Sequence, residues 1–129
     1  MYEITVNRRF AAAHRIEGHR GRCADLHGHT WTVEVTVGGR RLDHCGMLVD
    51  FKTIKDVVDG IIRHLDHTYL NELDCFGDDA GEKKPTAENL AEYIYVKVRE
   101  ELSGIAPEVS PCSVRIWESP DASALYRED

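Results

Sequence analysis

A chain of 129 residues has room for one domain and for a core that needs no covalent staples, and 42% hydrophobic with 30% charged residues is the make-up of an ordinary globule. Sixteen basic against twenty-three acidic residues leave a formal charge of −7, which argues against a general nucleic-acid or anionic-membrane surface. Met1 leads straight into a charged, alternating segment and no apolar run approaches the ~18 residues of a membrane span, so no signal peptide is expected and the chain reads as cytoplasmic.

The first predicted element is a strand from Tyr2 to His14, with Tyr2, Ile4, Val6, Phe10, Ala12 and His14 on one parity. Arg8 interrupts that face, so a bulge or ragged edge is expected near it. The connection from Arg15 to Leu26 contains glycines and is long enough to fold back. Its Arg15, Arg20 and Arg22 outnumber Glu17, a local basicity that suits either phosphate or a solvated loop. The second strand opens at His27-Gly28-His29 and alternates to Val37. One face carries His27, His29, Trp31, Val33, Val35 and Val37; the other carries Gly28, Thr30, Thr32, Glu34 and Thr36. That threonine-rich face suits either assembly with another sheet or plain solvation.

Gly38-Gly39 marks a turn, and Met47 to Val49 reads as a short extended piece. Asp50 is a good N-cap for a first helix whose apolar residues Phe51, Ile54, Val58, Ile61, Ile62 and Leu65 recur at helical spacing, with an end expected near Asp66-His67. Residues 74–84 look like an exposed loop. A second helix opens at Pro85-Thr86, with Thr86 as cap, Glu88 in the first turn and a stripe of Ala87, Leu90, Ala91, Ile94, Val98 and Leu102; Gly104 stops it. Pro107 and Pro111 bracket a linker, and Val114 to Glu118 and Ala122 to Tyr126 read as two more strands. The order ββααββ, over a single domain 1–129, predicts an α+β fold: an antiparallel four-stranded sheet with both helices on one face.

Pairing the first two strands antiparallel sets His14 beside His27 and His29. Two histidines two apart on a strand point the same way, and three histidines with an open fourth position is the arrangement of a catalytic zinc site. The four cysteines (Cys23, Cys45, Cys75, Cys112) form no Cys-x-x-Cys pair and read as free thiols, with Cys23 alone beside the expected metal. Asp66 can fix the tautomer of His67, or His67 can simply close a helix. Glu118 ends an otherwise buried strand face, where a carboxylate needs a partner: a planar ligand with adjacent N–H donors, or a buried arginine. His19, His44 and His64 have no partner pattern and read as surface residues. No Ser-His-Asp context and no phosphate-binding glycine loop is present.

Taken in order, Phe10-Ala-Ala-Ala-His14, Cys23-x-x-x-His27-Gly28-His29, Val49-Asp50-Phe51, Leu65-Asp66-His67, Pro85-Thr86-Ala87-Glu88-Asn89 and Trp117-Glu118 resemble the 6-pyruvoyl-tetrahydropterin synthase / 6-carboxy-tetrahydropterin synthase family. The resemblance implies the tunnelling fold, in which ββααββ subunits join their sheets into a barrel, usually a homohexamer of two trimers with active sites at subunit interfaces. It implies zinc on His14, His27 and His29, a catalytic thiol at Cys23, and proton transfer by Asp66 with His67. It makes Glu118 the anchor for the 2-amino and N3 hydrogens of a pterin, assisted by Thr86 and Glu88. On that assignment, replacing Glu118 costs pterin affinity and leaves the metal alone.

The three residues between Cys23 and His27 resemble the bacterial 6-carboxy branch; the animal 6-pyruvoyl enzymes carry a longer insert, and a further branch has glutamate in place of the cysteine. The 6-carboxy enzymes convert 7,8-dihydroneopterin triphosphate to 6-carboxytetrahydropterin with loss of acetaldehyde and triphosphate, on the path to queuosine and related deazapurines. The competing expectations are the 6-pyruvoyl outcome, without side-chain cleavage, and a zinc-binding module without catalysis.

Overall fold

The computed structural model describes residues 1–18, 21, 24–77 and 83–129. Strand β1 (Tyr2–His14) and strand β2 (His27–Gly39) pair antiparallel through thirteen residues without a break. Alternation then decides which side of the ribbon is covered: Val6, Phe10 and Ala12 of β1 and Trp31, Val33, Val35 and Val37 of β2 are all buried on one face. The bulge expected at Arg8 is absent. Arg8 lies on the core face, but Nε and Nη2 donate to Oδ1 and Oδ2 of Asp59, each at 2.6 Å, so the covering helix supplies a fork-matched carboxylate and the strand stays regular.

Helix α1 (Phe51–Ile62) is capped by Asp50, whose side chain accepts the Lys52 amide, and buries Ile54, Val58, Ile61 and Ile62. It stops a turn earlier than the apolar spacing predicts. Residues 63–67 form turns instead, because the Asp66 carboxylate accepts the Ala11 amide at 2.9 Å and the His67 amide donates to the Ala11 carbonyl at 2.6 Å. Those two bonds tie the chain to the outer edge of β1, and His67 takes a φ of 58° to make them.

The next two residues form strand β3 (Thr68–Tyr69), parallel to Ala12–Ala13 of β1. A single turn of 3₁₀ helix (Leu70–Glu72) follows, and Asn71 pairs with the backbone of Arg15 through both ends of its amide. The sheet therefore has five strands and is mixed, where four antiparallel strands are expected from the sequence. A two-residue strand is too short to show any alternation.

Helix α2 (Ala87–Ile105) opens at the expected cap, with Thr86 Oγ1 accepting the Asn89 amide, and runs one residue past Gly104. Strand β4 (Ser110–Ser119) begins earlier than expected and contains Pro111. Pro111 stands opposite Val37, beside the register shift between Thr36 and Val37 where β2 and β4 lose step; a residue without an N–H is tolerated in a sheet at such a place. Strand β5 (Ala122–Tyr126) completes the order β3-β1-β2-β4-β5. Both helices cover one face, packing Leu90, Ile94, Val98 and Leu102 of α2 and Ile54 and Val58 of α1 against the apolar side of β1, β2 and β4. The threonine-rich face is left without helices. No helix among the described residues is long and apolar enough to cross a membrane.

Candidate metal centre

His14 ends β1 and His27 begins β2, and the two are register partners, with His29 opposite Ala12 one step along. All three project to the core side of the sheet, at the end of the ribbon where the apolar filling stops. Trp31 forms the floor: its ring meets those of His14 and His29 edge-on at 5.0 and 5.1 Å, and its Nε1 donates to the Ala12 carbonyl at 3.2 Å. The imidazole centroids lie 4.5 Å (His14–His27), 4.7 Å (His27–His29) and 5.3 Å (His14–His29) apart.

Two backbone carbonyls set the tautomers. His14 Nδ1 lies 2.7 Å from the Pro85 carbonyl and His27 Nδ1 lies 2.7 Å from the Asp25 carbonyl. A carbonyl only accepts, so each Nδ1 carries the proton and each Nε2 keeps its lone pair. This is the outer-shell arrangement that orients metal-binding histidines. Burial pushes the pKa values of His14 and His29 below the ordinary histidine value, which also keeps their rings neutral and ready to bind a cation.

Glu118 joins this group from β4. Its Oε1 lies 2.9 Å from His29 Nε2, 3.2 Å from His14 Nε2 and 4.0 Å from His27 Nε2. His14 Nε2 and His29 Nε2 are both buried, and the Glu118 carboxylate lies close to each. Polar nitrogens stripped of water and pointed at one spot are costly unless something is bound between them. His14, His27, His29 and Glu118 form a donor set that could hold a metal ion, all four ligand atoms lying within 4.8 Å of one another. Three nitrogens and one oxygen suit zinc.

The other expected site residues are distributed differently. Cys23, like His19, Arg20 and Arg22, lies outside the described residues. Asp66 and His67 form a pair, Nδ1 to Oδ2 at 3.0 Å, and the Ala11 amide followed by His67 holds the Asp66 carboxyl below its usual range. They sit at the outer edge of β1, however, and the His67 side chain is 82% exposed. Thr86 is engaged as the cap of α2, and Glu88 is exposed in its first turn. His44 and His64 are exposed, as expected, and Cys45, Cys75 and Cys112 are free thiols. Glu118 meets no buried arginine among the described residues and stands among the metal-type donors themselves.

Two contributors escape sequence reasoning. The Pro85 carbonyl reaches His14 across 71 positions, and Asn89 holds that stretch by donating through Nδ2 to the Lys84 carbonyl at 2.9 Å. A Thr-x-x-Asn helix start is legible as a cap; its contact with a distant histidine is not. A second gathering, Asp43, His44 and Cys45, lies wholly exposed on a turn, with Oδ1 of Asp43 already accepting the amides of Cys45 and Met47.

Comparison with known proteins places the fold in a family. The family model described as 6-pyruvoyl tetrahydropterin synthase matches residues 3–129. The 6-carboxy-5,6,7,8-tetrahydropterin synthase of Bacillus subtilis is 35% identical over 127 residues, covering 98% of this chain and 85% of that protein. The protein of the same name from Synechocystis is 38% identical over 122 residues, covering 91% and 86%. Among solved structures, the 6-pyruvoyl tetrahydropterin synthase of Caenorhabditis elegans superposes with a TM-score of 0.77 at 26% identity, covering 100% of this chain and 98% of that one. A match that runs through β1, both helices and β5 leaves no part of the fold unaccounted for, and the chain belongs to the 6-pyruvoyl tetrahydropterin synthase family.

Proposed function

We propose that this protein is a zinc-dependent 6-carboxy-5,6,7,8-tetrahydropterin synthase, converting 7,8-dihydroneopterin triphosphate to 6-carboxytetrahydropterin with release of acetaldehyde and triphosphate, a step toward queuosine and related deazapurines in the cytoplasm. One observation carries the reading. Three histidines converge, beside a carboxylate, in a chain more than a third identical to bacterial proteins of that name over nearly its whole length.

His14, His27 and His29 would hold the zinc. Bound there, zinc supplies Lewis-acid polarisation of a substrate oxygen. Cys23, four residues before His27, would act as the base at the C1′ carbon; a thiol beside a dication ionises more readily than a free one, whose pKa is ~8.5. His67, steered by Asp66, would carry the second proton. Glu118 would take the 2-amino and N3 hydrogens of the pterin, with Thr86 and Glu88 at the start of α2 lining the approach. The exposure of His67, outside the histidine cluster, favours a site completed between subunits of a homo-oligomer, the hexamer of two trimers that the resemblance implies. The uncovered threonine-rich sheet face favours closure into a barrel.

The test is direct. Zinc-loaded protein incubated with 7,8-dihydroneopterin triphosphate should release acetaldehyde in step with triphosphate. The 26% identity to a 6-pyruvoyl tetrahydropterin synthase of known structure favours a second outcome, triphosphate loss with the side chain kept. Mass analysis of the pterin product separates the two. A protein that binds zinc and turns over no pterin would be the non-catalytic module instead.

A further inference from the structure

We propose that Glu118 alternates between two partners, closing the fourth coordination position of the metal while the pterin site is empty and moving to the pterin's 2-amino and N3–H edge when substrate enters. The inference rests on the proposed function for the identity of the second partner. Its first half rests on distances alone. For bonds of 2.0–2.1 Å, neighbouring ligand atoms of a tetrahedral zinc are about 3.3 Å apart. The Glu118 oxygen stands 2.9, 3.2 and 4.0 Å from the three Nε2 atoms, scattered around that edge length. With its proton on Nδ1, neutral His14 has no hydrogen at Nε2 to donate, so its 3.2 Å approach to the Glu118 oxygen is not a hydrogen bond. The four donor atoms lie within 4.8 Å of one another, close enough to share one ion.

The carboxylate is also placed so that it can leave. Its side chain is 30% exposed, against 27% for His27, 23% for His29 and 2% for His14. On β5, Trp117 pairs with Ser123 and Ser119 with Ala122, so the register slips at Glu118 and no residue of β5 stands opposite it. A slip of this kind loosens and re-aims one side chain while the strand on either side stays paired. The rest of the donor set is held hard: His14 and His27 each by a backbone carbonyl, and His29 by the unbroken β1–β2 ladder. Three fixed ligands and one loosely held ligand make an exchangeable position.

The consequence is a coupling of signs. A full substrate draws Glu118 away through its amino edge and offers a side-chain oxygen in return, so the cation keeps four ligands. A ring that carries the amino edge without a side chain takes the carboxylate and returns nothing. Such a ring and the metal therefore compete, and by reciprocity each weakens the other by the same factor.

The experiment measures zinc affinity by competition with a chromophoric chelator, in the wild-type protein and in Glu118→Gln. Each is measured with and without saturating isocytosine, which carries the pterin's amino edge and little else. Loss of a ligand should lower the zinc affinity of Glu118→Gln by about tenfold or more. Isocytosine should lower the zinc affinity of the wild type severalfold and leave that of Glu118→Gln unchanged. Equal zinc affinity in the two proteins, or an affinity that isocytosine leaves alone or raises in the wild type, overturns the proposal. The wild-type arm decides the matter even if the variant fails to fold. Acetaldehyde release from the same preparation is read separately: its absence, with both zinc effects intact, retires the proposed reaction and not the exchange at Glu118.

Discussion

Replacing Asn89 by aspartate tests how the start of α2 governs the candidate metal centre, which it never touches. Asn89 occupies the third position of the helix, where its amide is taken by Thr86 Oγ1 while its side-chain Nδ2 donates to the Lys84 carbonyl. Between those two anchors lies Pro85, whose carbonyl fixes the His14 ring. Aspartate keeps the shape, and its charge at a helix N-terminus is favourable by ~0.3–1 kcal/mol, but it cannot donate. The lost bond is worth about 1 kcal/mol, a factor of about fivefold in the population of a correctly placed Pro85 carbonyl. Deleting a direct outer-shell partner typically costs ~10- to 100-fold in metal affinity, so an effect transmitted one link further should fall below that, near three- to fivefold. Chelator competition on the purified variant reads the affinity, and thermal unfolding of the metal-free protein should move little, because the helix cap survives. Wild-type zinc affinity in both Asn89→Asp and Asn89→Ala, with both variants folded, would refute the chain of contacts from Asn89 through Pro85 to His14.

Three further outcomes are expected. Cys23→Ala should retain zinc and oligomer size while losing the ~100- to 10,000-fold that a positioned base supplies; zinc loss on metal analysis would make Cys23 a ligand and not a base. Gly39→Ala should destabilise the protein by about 1–3 kcal/mol in chemical unfolding, because the added Cβ would lie 2.8 Å from Leu48 Cδ1 and 3.0 Å from the Glu108 carbonyl oxygen, and that backbone oxygen cannot yield as a side chain can; wild-type stability would mean that the loop to Leu48 and the turn at Glu108 give way freely. Asp66→Asn should flatten the acid limb of stability. The Asp66 carboxyl is held below 3.8 by the Ala11 amide, so on acidification the unfolded chain binds its proton first. Its contribution is complete above about pH 3.8 and is lost as pH falls through the lower folded value. Urea unfolding of the metal-free proteins at a series of acid pH values should show the variant losing less stability than the wild type, and parallel curves would remove Asp66 from the acid response.

Much of this protein is written in local pattern. Alternation in β1 and β2 determines which of their residues face the core, and it places His27 and His29 on one side, because side chains of a strand repeat every two residues. The caps Asp50 and Thr86, the apolar stripe of α2, that of α1 apart from exposed Phe51 and Leu65 beyond its end, and the span of β5 follow from short-range chemistry and are found where that chemistry puts them. What lies beyond reach is whatever depends on a bond between distant parts. Helix α1 ends early and a fifth strand forms because Asp66 and His67 find the peptide of Ala11, 55 and 56 positions away, and no local signal competes with a partner that only the fold provides. Arg8 breaks the alternation of β1 yet leaves the strand straight, since its carboxylate comes from α1. The carboxylate of Glu118 could be expected to face a buried arginine or a ligand; that it stands among three imidazole nitrogens was settled by the register of β4 on β2, a tertiary choice that sequence spacing does not encode.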